Sequence, residues 1–563
     1  MYIRQGPRVL RRPTGQGSAT LRVHHLGAHP IVRHFLERMN VAGILRGCLG
    51  GARQGPIDHA LALEVLLHNY VLSPGPLYRI AEWTAPLEAG VLGLSEPQKS
   101  AVNDDRIARA LDALASERGR TVFFRLALRI LKDFKLETRR IHFDTTTVTF
   151  SGKYETSRVE PRITFGYNKD HRPDLKQLVF GLNITADGAV PLLHHVWSGN
   201  RTDDSVHRRN TDDLRQLLGR DDFIYVADGK LCTTENLKSI ASSGGQFVTV
   251  LPRTRREDAR FREQLRAQPA RWKTLLTIPN PRRKHAPPDR YSTCAGPATT
   301  DDGYRLIWVR SSQKAQLDAQ VRLDQIRKAE LEIHQLSLNR RGLKTDRSIR
   351  QAVRTLLKRH RCESFLQLSL HRYTETSTRY LRRGRPRPHD AVRVIERPRW
   401  RLKLQRDADA LRRASHTDGV FPLLTNLRRH SKREVLLIYK YQPYVEKRFS
   451  YMKTELEVAP VYLKKPRRVA GLLHAYFIAL ALVSLIERQV RLAMQQRKID
   501  SLPLLPEGRH TQTPTAARIL EAFTDVCWYE FERDAEIVAF PITLTALQTQ
   551  LLTLLDVPRT AYQ

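Results

Sequence analysis

A chain of 563 residues is long enough for several domains, each with its own core. It carries 95 Lys and Arg against 58 Asp and Glu, a formal excess of 37 positive charges with a pI near 10.4, and a field of that sign attracts polyanions, nucleic acid first among them. The five cysteines lie far apart with no CxxC or Cys/His cluster, which argues against a disulfide framework or a zinc site and suits a reducing cytosol.

In chain order, residues 1–23 read as a flexible basic arm without the apolar run of a secretory signal. Residues 24–135 have helical spacing in "PIVRHFLERM", "HALALEVLLHNYVL" and "DDRIARALDAL", the last capped by Asn103, and read as a helical domain of their own. Over residues 136–252 the period changes to two. "IHFDTTTVTF" is a strand, "KQLVFGLNIT" and "AVPLLHHVW" form a hairpin about Asp187-Gly188, and helix, strand, helix and strand follow. Residues 253–415 read as an insertion, with a long charged helix around Gln313–Arg340 and ten Lys/Arg between Arg379 and Lys403. Residues 416–498 resume with the strand "GVFPLLT" and a helix opened by the capping box Ser431/Glu434. The apolar run Val469–Ile486 is at the lower edge of membrane-spanning length, and the expectation is a helix buried in protein, with no membrane as partner. Residues 499–563 read as a linker and a helical tail.

Two carboxylates stand out. Asp144 interrupts a β-branched run, where Asp is depleted, and Asp228 ends the fourth strand. Either alone is an ordinary edge or turn residue. In a sheet where the first strand neighbours the fourth, the two can converge, and close carboxylates need a shared proton or a cation. Oxygen donors without His or Cys suit Mg²⁺ or Mn²⁺. Further on, Tyr439, Gln442, Glu446 and Lys453 are spaced to share one helical face, adding a third carboxylate among groups able to hold phosphates. The ordinary reading of such a face is a solvated one, and Pro443 would kink or split the helix. His142, His194 and His195 read as packed side chains rather than ligands.

The order of three antiparallel strands, helix, strand, helix, strand and a late carboxylate helix resembles the RNase H-like core of DDE transposases and retroviral integrases. Tyr439, Gln442, Glu446 and Lys453 resemble the Y-x2-R-x3-E-x6-K signature of one large group of bacterial insertion-sequence transposases, with Gln442 in place of the usual Arg. "GYNKDHRPDLKQLVFGLNIT", "GNRTDD", and "GPLYRIAEW" with "NDDRIARALDAL" resemble that group as well, so the likeness runs from about residue 25 to 490. The resemblance implies an α/β fold: an RNase H-like (retroviral integrase-like) mixed sheet interrupted by an insertion and preceded by an all-α N-terminal domain that recognises DNA ends. It implies catalytic and metal-binding roles for Asp144, Asp228 and Glu446, two Mg²⁺ or Mn²⁺ ions per site, and DNA contacts from Tyr439, Gln442 and Lys453. It further implies metal-dependent cleavage of double-stranded DNA at terminal inverted repeats, transfer to target DNA, a homodimer at synapsis, and a location in the bacterial cytoplasm at the nucleoid. "RGRPRP" (383–388) resembles an AT-hook core but reads first as a basic loop. The rival readings are a nuclease on the same fold that does not join ends, and a decayed DNA-binding protein.

Overall fold

The structure is a computed structural model. It describes residues 19–50, 55–152, 154, 160–169, 172–202, 205–279, 287–338, 345–381, 384–385, 387, 391–458, 461, 463–533 and 536–563. Two compact units emerge, one from Met1–Thr249 with Leu436–Gln563, the other from Val250–Val435.

The first unit begins with β1 (Ala19–His25) and the helices α1 (His29–Arg38), α2 (Val41–Leu49), α3 (His59–Leu72), α4 (Ile80–Thr84), α5 (Glu96–Ser100), α6 (Asp104–Leu114) and α7 (Glu117–Asp133). Asn103 caps α6 through its side-chain oxygen, which accepts from Arg106 N at 2.9 Å. Then come β2 (Arg140–Phe150), β3 (Lys176–Thr185), β4 (Pro191–Ser198), α8 (His207–Leu218), β5 (Ile224–Val226), α9 (Thr234–Ser242) and β6 (Gln246–Val250). Within this unit the sheet runs β4-β3-β2-β5-β6, antiparallel among the first three strands and parallel from β2 to β6. The chain is a mixed α/β protein with a helical N-terminal region.

In the second unit α10 (Arg256–Ala267), β7 (Lys273–Ile278), β8 (Asp289–Thr293) and β9 (Arg305–Ser311) precede α11 (Ser312–Leu338) and α12 (Asp346–Arg359). The long strands β10 (Leu366–Tyr380) and β11 (Val392–Arg406) form a two-stranded ribbon; α13 (Ala408–Ser415) and β12 (Val420–Thr425) complete the unit. Strands β12-β9-β8-β7 are antiparallel throughout. The unit extends over Val250–Val435, wider than the insertion 253–415 read from composition.

The chain then passes through α14 (Lys432–Tyr439) to α15 (Pro443–Thr454), α16 (Pro466–Gln496), α17 (Ala516–Glu521), β13 (Cys527–Arg533), β14 (Glu536–Phe540) and α18 (Ala546–Leu555). Ser431 and Glu434 form the expected capping box, each accepting from the other's backbone N–H. The apolar run expected to be buried lies in α16, whose most apolar window is 94% buried inside the protein.

Three readings change. Residues 19–23 are not part of a flexible arm: β1 pairs antiparallel with β13, with Arg22 bonded to Glu532 across 510 residues of sequence. The C-terminal segment is not wholly helical, since β13 and β14 form a hairpin on β1. The N-terminal helices have no core of their own. Phe35, Leu66, Ile107 and Leu111 belong to one continuous apolar cluster with Phe180 of β3 and the length of α16. Contact between α6 and α16 is close at Gly471, where a Cβ would stand 2.2 Å from the Leu111 carbonyl oxygen.

Candidate active site

Strand β2 is buried along nearly its whole length, yet Asp144 is partly open. Parallel pairing with β5 sets Ile141 against Tyr225 and His142 against Val226. That pairing ends at His142–Val226; Asp144 follows two residues further along β2, and Asp228 two residues past the end of β5, where a short 3-10 turn begins. Each carboxylate is steadied by nearby backbone. Asp144 Oδ1 accepts from Thr145 N at 2.7 Å, and Asp228 Oδ1 accepts from Lys230 N at 3.0 Å at the start of a short 3-10 turn. The Thr249 hydroxyl donates to the Asp228 carbonyl at 2.6 Å and ties this turn to β6.

The third carboxylate arrives on a broken helix. α14 ends at Tyr439 and α15 begins at Pro443, the first helical position, where a missing N–H costs nothing. Gln442 precedes the proline and is buried at 6% exposure. Its side-chain nitrogen donates to Phe143 O at 2.7 Å, and its oxygen lies 3.1 Å from His142 Nδ1. The expected DNA contact at Gln442 is therefore corrected. Gln442 has helical backbone angles (φ −50°, ψ −39°) and is in phase with the buried Val445, Phe449 and Met452, so its amide faces inward and pins the start of α15 to β2 beside Asp144. Four residues on, about one turn, Glu446 is exposed.

Arg448 fixes the other side of α15. It donates to Ala189 O at 3.0 Å and Gly188 O at 2.8 Å on the β3–β4 turn, and its guanidinium lies 2.8 Å from Glu487 of α16, both side chains being buried.

Electrostatics tie the three acids together. The Tyr439 phenol is pushed up well above its ordinary range, first by burial and then by the negative charges of Asp228, Glu446 and Asp144. Tyr225, between β2 and β6, is raised by burial, with Asp228 and Asp144 adding to the shift. Tyr439 thus stays a protonated donor within the field of all three carboxylates. Lys453 is partly buried seven residues beyond Glu446, about 10 Å along the helix.

Lys169 was not singled out by residue type or spacing. Its ammonium lies 3.5 Å from Asp144 Oδ1 and donates to Thr145 O at 2.7 Å and Thr145 Oγ1 at 2.8 Å. The only signal in the sequence was its place within "GYNKDHRP", and that loop shows no periodicity that would aim it. Asp144, Asp228 and Glu446 fit a hard divalent cation by donor chemistry. Among the described residues, however, no three His, Cys, Asp or Glu side chains are drawn together as ligands to one ion. His142 and His194 are buried and His195 nearly so; burial pushes His142 down to about 4 and His195 to about 3, consistent with packed, neutral imidazoles. Arg383, Pro386 and Pro388 of "RGRPRP", and Asp203 and Asp204 of "GNRTDD", lie outside the described residues.

Residues 19–128 match a family described as a domain of unknown function (DUF4277). That family is associated with transposase-like proteins. No curated protein matches the chain.

Proposed function

We propose that this protein is the transposase of a bacterial insertion sequence, with an RNase H-like core that cleaves double-stranded DNA at the element's ends and joins it to target DNA. The observation that carries the reading is the parallel pairing of β2 with β5, from whose last pair, His142–Val226, Asp144 and Asp228 each follow two residues on. It is supported by the Gln442 anchor, which seats the Glu446 helix over the same strand, and by the family match of the N-terminal region.

In this reading Asp144, Asp228 and Glu446 hold Mg²⁺ or Mn²⁺, two ions per site, which when bound supply Lewis-acid polarisation of the phosphodiester. Lys169 offsets the charge of Asp144, so that a phosphate anion approaches a less repulsive site. Tyr439, kept protonated by burial and by the three acids, donates its O–H to a phosphate oxygen across the working pH range. Lys453 adds a positive charge further along the same helix. Water oxygen bonds to phosphorus as the P–O3′ bond breaks, and the departing 3′ oxygen takes up a proton. The freed 3′ hydroxyl then attacks a target phosphodiester, forming one P–O bond as another breaks, so the joining step needs no external energy source. Two copies acting together at synapsis, at the nucleoid, belong to the same proposal.

The test is incubation with a supercoiled plasmid carrying the DNA that flanks the gene, with and without Mg²⁺. Asp144→Asn, Asp228→Asn and Glu446→Gln should each lower cleavage by more than about 100-fold, the loss that follows even from disturbing a ligand's support. DNA affinity, which rests on many Lys and Arg contacts, should stay near that of the parent. A variant that cleaves at the parent rate removes its residue from the site. Cleavage without joined product would favour the nuclease.

A further inference from the structure

The ribbon β10–β11 has two unlike faces, and its register defines them. Leu368 pairs with Leu404, Leu370 with Leu402 and Arg372 with Trp400, and the apolar members of these pairs pack on the cluster formed with α11 and α12. On the opposite face the pairs run Ser369–Lys403, His371–Arg401, Tyr373–Arg399, Glu375–Arg397, Ser377–Ile395 and Arg379–Arg393. That face gathers Arg379, Arg393, Arg397, Arg399, Arg401 and Lys403 against the single carboxylate of Glu375. Side-chain contacts agree with the register. Arg399 donates to Glu375 at 2.7 Å, and the Arg401 guanidinium lies 5.5 Å from the Tyr373 ring centre.

All six cations but Arg399 are exposed, and Arg379, Arg393, Arg397 and Lys403 have no ion-pair partner among the described residues. Arg379 and Arg393 stand directly opposite each other, an arrangement of like charges that weakens a strand pair unless an anion lies between them. From Ser369 to Arg379 the face spans eleven residues, ten strand rises or roughly 33 Å. That is about one turn of B-DNA, whose major groove admits a two-stranded ribbon.

We propose that this face of the ribbon is a docking surface for duplex DNA, binding phosphates along about one helical turn without reading the base sequence. The assignment shares the DNA partner of the proposed function but not its chemistry, so it stands or falls without the carboxylate site.

The experiment measures the affinity of the full-length protein for a random-sequence duplex across a salt series, in an Asp144→Asn background so that cleavage plays no part. Replacing Arg379, Arg393, Arg397 and Arg401 together by Gln should flatten the slope of log affinity against log salt by about 3 to 4, at roughly 0.9 per phosphate contact. At 0.1 M salt the affinity should fall on the order of 10²–10³-fold. The control replaces four exposed arginines of α10 and α12, namely Arg260, Arg266, Arg347 and Arg354, and changes the net charge equally. An effect no larger than the control's would overturn the proposal. The same four ribbon positions changed to Lys should keep the slope, and loss of the slope there would also overturn it. If the quadruple Gln variant fails to fold, Arg393→Gln alone relieves the like-charge pair and should still flatten the slope by about 0.9; an unchanged slope rejects the docking surface. Separately, failure of Asp144→Asn to abolish plasmid cleavage would count against the active site and leave the ribbon result untouched.

Discussion

At the scale of single residues, Gln442 shows how helical phase can bury a polar side chain. It stands one turn before Glu446 but in phase with the buried Val445, Phe449 and Met452, and it is buried against His142 and Phe143. Gln442→Arg, the change that would restore the family pattern, should therefore not tighten DNA binding. It would bury a guanidinium against His142 and the Phe143 carbonyl, and we expect a loss of about 2–4 kcal/mol in urea unfolding. Tighter DNA binding at unchanged stability would return this position to the phosphate face. Lys169 permits a second test at this scale. Its ammonium shares the charge of Asp144, so a divalent cation must compete with it. Lys169→Met should lower the Mg²⁺ concentration for half-maximal cleavage several-fold, and a higher requirement would make Lys169 a support of the site rather than a competitor.

Elements are held by close contacts that tolerate little change. Gly471 lets α16 approach the carbonyl of Leu111 on α6. Alanine there gains roughly 1 kcal/mol of helix propensity. The added Cβ meets backbone at 2.2 Å, so α6 must shift, and overpacking costs about 1–3 kcal/mol. We expect the clash to win, with Gly471→Ala melting several degrees below the parent; an equal or higher melting temperature would show that α6 yields freely. The buried Arg448–Glu487 pair joins α15 to α16 and, through Gly188 and Ala189, to the β3–β4 turn. Arg448→Met would leave Glu487, among the described residues, with Arg491 at 3.5 Å and the Ala516 N–H. Loss of one member of such a pair costs about 3–5 kcal/mol. Seating of Glu446 over β2 should suffer with it, read as lower cleavage at a temperature where the variant remains folded.

For the molecule as a whole, the shared core is decisive. Because the N-terminal helices and α16 bury one another, deletion of residues 24–134 should expose most of α16 and leave no foldable remainder. Limited proteolysis should find no resistant fragment that contains α16; a stable, monomeric fragment holding α16 would show that the helices are dispensable to the fold. End recognition by this region is better sought with charge changes on its exposed face. Stability should also depend on acid. Burial pushes His474 down to about 4, where it meets His194 at 2.6 Å and feels Arg120, and pushes His29 down to about 4 beside His68. Both imidazoles are neutral when folded and free to protonate when unfolded. Their contribution is therefore complete above pH 6.5 and lost as pH falls from 6.5 toward 4, about 2 kcal/mol each by pH 5. Urea midpoints at pH 7.5 and 5 check this, and equal midpoints would mean that other groups compensate.

What the sequence determined by itself was local. Period two against period 3.6, the Asn103 cap, the Ser431/Glu434 box and the Asp187-Gly188 turn are written in adjacent residues, and the corresponding elements form where those signals stand. Asp144 could be chosen because Asp is depleted in a β-branched strand, and Asp228 only together with it, since alone it reads as an ordinary strand-ending turn. The tertiary structure alone decided what depends on pairing and register. It joined β1 to β13 across 510 residues, turned Gln442 inward, brought Lys169 to Asp144, merged the N-terminal helices with α16, and sorted the ribbon's arginines onto one face. A one-residue shift in register exchanges the two faces of a strand, and composition does not record that choice; the energy that makes it comes from packing between segments far apart in the chain.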